Sequence, residues 1–237
     1  MKETFPVSVP LSQVTITDPF WGSYQELART RILPYQWEAL NDRVEGAEPS
    51  HCIHNFRIAA GLETGSFEGF VFQDSDLAKW LEAAACSLVW HPDPELEKTM
   101  DEAIELIEKA QQPDGYLDTY YIINGLDKRW TNLRDNHEMY CAGHMLEAAV
   151  AYYQATGKDR LLNVMLRCVA HIASMFGPEE GKKKGYPGHE ELELALMKLY
   201  RVTGNADHLA LAKYFIDQRR QQPSYFDNEG NGHAWAD

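Results

Sequence analysis

From Leu77 to Gln222 apolar residues recur three and four positions apart, in runs broken by short turns rich in Gly, Pro, Asn and Asp. Almost nothing beyond the start of the chain alternates with period two. The pattern predicts helices over 25–42, 52–60, 77–90, 95–111, 137–155, 159–175, 190–202 and 206–221, and one short strand at Val14-Thr-Ile-Thr17. The fold class is therefore all-α, with a short extended segment at the N-terminus.

Three stretches share a plan. Leu81-Glu-Ala-Ala84, Leu146-Glu-Ala-Ala149 and Leu192-Glu-Leu-Ala195 each precede a break, at His91-Pro-Asp-Pro94, Thr156-Gly157 and Thr203-Gly204. Tyr153-x-x-Thr-Gly157 recurs as Tyr200-x-x-Thr-Gly204, and each break is followed by a second amphipathic helix. Such a tandem series of αα-hairpins buries its apolar faces only against neighbours, so it either stacks into a solenoid or closes into a ring. The Leu-Glu anchors lie 65 and then 46 residues apart. That irregularity suits a toroid with long loops on one rim around a central pocket.

A chain of 237 residues with 44% hydrophobic content can bury a sizeable core, which argues against disorder. The formal charge of −14 disfavours a nucleic-acid partner, and the one basic run, Lys182 to Lys184, sits in a Gly-flanked turn. With no apolar run of about 20 residues, and no basic region and apolar core in MKETFPVSVP, the expectation is a cytoplasmic protein without a membrane partner. Cys52, Cys86, Cys141 and Cys168 are scattered, and reduced thiols are expected.

Polar groups gather where alternate helices begin. Asp135-x-x-Glu138 reads as a capping box that puts His137 in or near a first turn, with His137, Cys141, His144 and Ala148 along one stripe. His-x-x-x-Cys-x-x-His invites a zinc reading, but a cysteine's ordinary hydrophobic role and the missing fourth ligand argue against it. His189 follows the turn Gly185-Tyr-Pro-Gly188, and Asp74, Ser75 and Asp76 occupy the same end of an earlier helix. N-capping accounts for Asp74 and Ser75, and less well for the two histidines. The functional reading is a pocket at one mouth of a ring, where imidazoles and carboxylates bind sugar hydroxyls while Phe72 and Trp80 cover the apolar face. Gln112-Pro-Asp-Gly-Tyr116 reads as a turn. A conventional glycosidase needs two carboxyls about 5–10 Å apart, and the sequence pairs neither Asp74 nor Asp76 with a distant partner.

With these residues in view the chain resembles glycoside hydrolase family 127, the β-L-arabinofuranosidases. The matching segments are Ile16-Thr-Asp-Pro-Phe-Trp21, Pro34-Tyr-Gln-Trp37, Gly69-Phe-Val-Phe-Gln-Asp-Ser-Asp76, Gln111-Gln-Pro-Asp-Gly-Tyr-Leu-Asp-Thr119, His137-Glu-Met-Tyr140 with Gly143-His144, and Phe176-Gly-Pro-Glu-Glu-Gly181. They run in order along nearly the whole chain.

The resemblance implies an (α/α)6 barrel and a retaining exo-hydrolase that releases L-arabinose from the non-reducing ends of arabinofuranosyl oligosaccharides or glycoconjugates. It implies sugar contacts from Phe72, His137 and His189; Asp76 and His144, at or near the same helix starts, are further candidate pocket residues. It also implies that the cysteine nucleophile, its Zn2+, the further ligands and the acid/base glutamate lie downstream, so no catalytic or metal-binding residue is expected here. The expected organisation is an extended segment, 1–23, and an incomplete barrel, 24–237, with about four of six hairpins. Such a chain is expected to be inactive and aggregation-prone alone, and a complementary C-terminal chain is a conceivable partner. The alternatives are another (α/α)6 sugar-active enzyme, such as an unsaturated glycuronyl hydrolase or a sugar epimerase, and a non-catalytic helical-repeat scaffold. The scaffold predicts a charged inner surface without an aromatic-histidine pocket.

Overall fold

The computed structural model describes residues 9–229; the outer parts of both expected segments, 1–8 and 230–237, lie outside the described residues. After a 3-10 turn at Leu11–Gln13, α1 (Pro19–Leu27) runs through a π-helical stretch, Ala28–Ile32, into α2 (Leu33–Leu40). Then come α3 (Cys52–Ala59), α4 (Asp74–Trp90), α5 (Pro94–Ala110), α6 (Thr119–Asn124), α7 (Glu138–Thr156), α8 (Arg160–Met175), α9 (Glu191–Thr203), α10 (Ala206–Gln218) and α11 (Tyr225–Asn228).

Three complete hairpins, α4–α5, α7–α8 and α9–α10, follow one another. Their first members pack side by side, α4 on α7 and α7 on α9, while α5 packs on α8 outside them. This is the inner-and-outer arrangement of a helical ring. The inner helices begin at one mouth, where the long connections 111–137 and 176–190 also lie. Preceding them, α2 and α3 both pack against α4, and α3 also against α5 and α6.

The repeated Tyr-x-x-Thr-Gly folds twice into the same stop. Gly157 and Gly204 take left-handed φ of 76° and 68°, and each amide donates to the tyrosine carbonyl four residues back at 2.8 Å. Thr156 and Thr203 hydroxyls donate to the carbonyls of Tyr152 and Leu199, and accept from the amides of Lys158 and Asn205. Glycine suits the left-handed position because it has no Cβ penalty. The first hairpin turns by other means: Asp93 caps α5, accepting from Glu95 and Leu96 amides at 3.1 Å, with Pro94 at the first helical position.

Several expectations need correction. Val14–Thr17 forms no strand; Val14 is extended, and its carbonyl accepts from the Trp90 indole at 2.8 Å. The first helix begins at Pro19 rather than 25, because Asp18 caps it by accepting from the Trp21 amide. Asp74 does not cap its own helix. Its buried carboxylate accepts from the Thr119 amide at 2.8 Å and hydroxyl at 2.5 Å, so it holds the start of α6, a helix too short for periodicity to reveal. Trp80 is buried, packs its ring 4.5 Å from that of Trp37 and donates to the Leu33 carbonyl. It belongs to the core under α2 and cannot cover a sugar.

Candidate functional site

At the mouth the chain arrives at α7 through His137, which holds a left-handed φ of 59°. That conformation is uncommon outside glycine and costs on the order of 1–3 kcal/mol. The expected capping box is not formed. His137 is the cap residue and makes no side-chain cap bond. Glu138 points into the core, where Oε1 accepts from the Tyr116 hydroxyl at 2.5 Å and Oε2 from the Trp130 amide at 2.8 Å. Burial pushes the Glu138 carboxyl up to about 8 and Asp74 up to about 6. Tyr116 thus joins its turn to the start of α7, a structural role.

The left-handed turn throws the His137 imidazole outward. Its Nδ1 lies 2.5 Å from the Asp135 carbonyl, which accepts a hydrogen bond from Nδ1–H; in the neutral ring this leaves Nε2 as an acceptor. Nε2 lies 3.1 Å from Nε2 of His189, just before α9, so the neutral pair requires His189 to donate. Burial lowers the His137 pKa from its ordinary value, with the neighbouring His189 adding to that effect. Phe72, one residue ahead of Gln73 and α4, packs its ring 5.2 Å from His137 and stacks on the exposed Phe70. Phe72, His137 and His189 therefore meet at one opening.

Asp76 lies on the first turn of α4, where the Gln73 side chain donates to it at 2.6 Å and burial raises its pKa. His144 lies two turns below His137. Tyr140 bridges the two levels, its ring 5.5 Å from His137, 5.1 Å from His189 and 4.5 Å from His144. Lys79 of α4 donates to the Tyr140 hydroxyl at 2.9 Å. Tyr140 and Lys79 were missed in the sequence, although Tyr140 shares a helix face with His137 and His144 at the three- and four-residue spacings of a helix.

Beneath this layer Glu147, on the next turn of α7, and Glu191, which opens α9, converge on His144. His144 Nδ1 lies 3.2 Å from Glu191 Oε1. Burial, reinforced by Glu147, pushes Glu191 up to about 7, and burial followed by the charge of Lys79 depresses His144 to about 4. Lys198 ion-pairs with Glu147 and lies 3.6 Å from Glu82. The helices approach this closely because Gly143 has no side chain: a Cβ there would stand 2.8 Å from the Leu192 amide nitrogen and from Glu191 Cγ.

The profile of the β-L-arabinofuranosidase GH127 catalytic domain matches residues 13–235. The chain belongs to glycoside hydrolase family 127. A non-reducing end β-L-arabinofuranosidase of Bifidobacterium longum subsp. longum is 45% identical over 229 residues, covering 90% of this chain and 35% of that protein. The crystal structure of a GH127 β-L-arabinofuranosidase from Geobacillus stearothermophilus T6 superposes with a TM-score of 0.90 at 61% identity, over 92% of this chain and 34% of the other. A second solved GH127 β-arabinofuranosidase gives a TM-score of 0.82 at 36% identity, over 89% and 34%. The chain thus spans about a third of the length of these GH127 relatives.

The zinc that the family resemblance implies can be tested against the thiols present. Cys52, Cys141 and Cys168 are buried without disulfides, and burial raises all three thiols, Cys168 to about 12. Half-buried Cys86 is raised as well. A structural or catalytic zinc needs three or four ligand atoms grouped around one point, and among the described residues none of these four belongs to such a group, so they do not fit that role. Among the described residues the group with ligand spacing is instead His144, Glu147 and Glu191, which could hold a metal ion. His137 and Cys141 are outside it: His137 lies above, and Cys141 is packed away at 3% exposure. No described helix is long and apolar enough to cross a membrane.

Proposed function

We propose that this GH127 chain serves the hydrolysis of β-L-arabinofuranosides, and that its described residues bind the non-reducing L-arabinofuranosyl unit rather than break its bond. The observation that carries this is the meeting of Phe72, Tyr140, His137 and His189 at the mouth formed by three inner-helix starts. His137 Nε2 offers an acceptor and His189 Nε2 a donor, 3.1 Å apart. A sugar hydroxyl that parts the two rings takes over the hydrogen bond they share, donating to the first and accepting from the second. Phe72 supplies an apolar face for ring carbons, and Tyr140 fixes both imidazoles in orientation. The cleavage step, and the zinc that the family resemblance attaches to it, are assigned to residues outside this set. The aromatic-histidine pocket supports the enzyme reading over the scaffold reading, which called for a charged concave face.

The test is a titration of the purified chain with L-arabinose and methyl β-L-arabinofuranoside, followed by imidazole 15N NMR. Saturable shifts at His137 and His189, lost in Phe72→Ala and His189→Ala and absent with D-glucose, are expected. Shifts of equal size with D-glucose, or none at these imidazoles, would refute the proposal. A hydrolysis assay with and without zinc addresses the second half: turnover by this chain alone would place bond cleavage within it.

A further inference from the structure

We infer that His144, Glu147 and Glu191 form a binding site for one divalent transition-metal cation, set two turns below the proposed sugar pocket and independent of that reading.

The three ligand atoms come from two helices. His144 and Glu147 are three residues apart on α7 and share a face, and Glu191 is carried across from the first residue of α9. Their ligand atoms all lie within 4.8 Å of one another, a triangle that one ion can fill with bonds of roughly 2.0–2.2 Å after small adjustments. Gly143 makes the triangle possible, since any Cβ there would push Glu191 back.

Hydrogen bonding carries the second, independent observation. Buried side-chain oxygens and nitrogens without hydrogen-bond partners are rare in folded proteins. Among the described residues five such atoms occur, and three of them are His144 Nδ1, Glu147 Oε1 and Glu191 Oε1. His144 Nδ1 and Glu191 Oε1 face each other at 3.2 Å without forming a hydrogen bond, and Glu147 Oε1, on a residue only 6% exposed, meets the Lys198 ammonium. Lys198 touches Glu147 as an ion pair, but one ammonium faces the carboxylates of Glu82, Glu147 and Glu191. Lys79, whose charge also reaches His144, is held higher up by Ser75 and Tyr140. One ammonium shared among three carboxyl groups leaves negative charge to balance, and a bound cation supplies that charge together with bonds to the His144 and Glu191 atoms that make no hydrogen bond.

The donor set selects the ion. One imidazole and two carboxylates are too few oxygens for Ca2+, which takes six to eight, and they lack the thiolates that favour Cu+. Zn2+, Co2+, Ni2+ and Mn2+ accept such mixed nitrogen and oxygen ligands, with water completing the shell.

The experiment uses the EDTA-stripped, full 237-residue chain, titrated calorimetrically with Zn2+ and, for its visible absorption, with Co2+. One ion per chain is expected, with affinity falling more than roughly tenfold in His144→Ala and in Glu191→Gln. Lys198→Met, which removes the competing ammonium, tightens binding. Circular dichroism and the imidazole signals of His137 and His189 verify that each variant is folded, and loss of sugar binding with metal binding retained separates this site from the pocket above it. Absence of saturable binding in both the natural chain and Lys198→Met overturns the inference. So does binding that survives unchanged in folded His144→Ala and Glu191→Gln, which would place the ion elsewhere and leave Lys198 as the cluster's cation.

Discussion

Replacing Gly143 with Ala sets two effects of similar size against each other. In a helix interior Ala is favoured over Gly by about 1 kcal/mol. Against this, the new Cβ would lie 2.8 Å from the Leu192 nitrogen and 2.9 Å from the Glu191 carbonyl carbon. These are backbone atoms of a packed helix, which cannot rotate away as a side-chain end would. Overpacking of this kind costs typically 1–3 kcal/mol, so the clash wins and Gly143→Ala is expected to lose about 1 kcal/mol net. The retreat of α9 also carries Glu191 and, two residues earlier, His189, and should open the 3.1 Å contact between His137 and His189. Urea unfolding gives the first quantity, and imidazole NMR the second. Gly157→Ala is the control. It has open space around the new methyl but a φ of +76°, so it should lose about 1 kcal/mol from backbone strain with both imidazoles unmoved. Stabilisation of Gly143→Ala by about 1 kcal/mol with the His137 and His189 resonances unchanged would show that the α7–α9 seam has room for the methyl group.

Other expectations follow from the buried groups. The carboxyls of Glu138 and Asp74 are raised to about 8 and about 6, so the folded chain keeps protons that the unfolded chain releases near pH 4. Their contribution to stability is therefore fullest below about pH 4 and is lost as pH rises toward 8, with Glu138 accounting for on the order of 5 kcal/mol. Urea midpoints between pH 5 and 8.5 should fall, and Glu138→Gln should cost less at pH 8.5 than at pH 5; a pH-independent cost would show that the Glu138 carboxyl does not titrate in this range. Trp80→Ala should cost about 3–5 kcal/mol, as a large buried ring does, yet leave the His137 and His189 signals in place. Movement of those signals would mean that Trp80 reaches the mouth after all.

Helices declared themselves in the sequence where their periodicity was long and their stops were chemical. Tyr-x-x-Thr-Gly could be read twice because each of its residues has a local duty: glycine takes the left-handed φ, threonine bonds the turn, and the tyrosine carbonyl receives the glycine amide. Local duties misled where the polar group served a distant partner. Asp74 has the composition of a cap, but it binds Thr119, 45 positions away, and Glu138 sits at a capping-box position but binds Tyr116 and Trp130. In both cases burial decided the matter, since a carboxylate removed from water takes the strongest donors the fold brings near it. No spacing rule along one helix encodes that choice.

The same limit explains the site. Phe72, His137 and His189 could be nominated from the sequence because each stands next to an inner-helix start, a property visible along the chain. Glu147 and Glu191 could not, because within their own helices they look like ordinary solvated acids at the end of a Leu-Glu anchor and at a helix N-terminus. They become unusual only across the α7–α9 seam, where the absence of one side chain at Gly143 brings a carboxylate from the next hairpin against His144. The residue that determines this chemistry therefore carries none itself. In a ring of repeated hairpins, small residues on inner helices that face the next inner helix are where ligands from separate units can be brought within bonding distance, and they are the positions at which such sites are best sought.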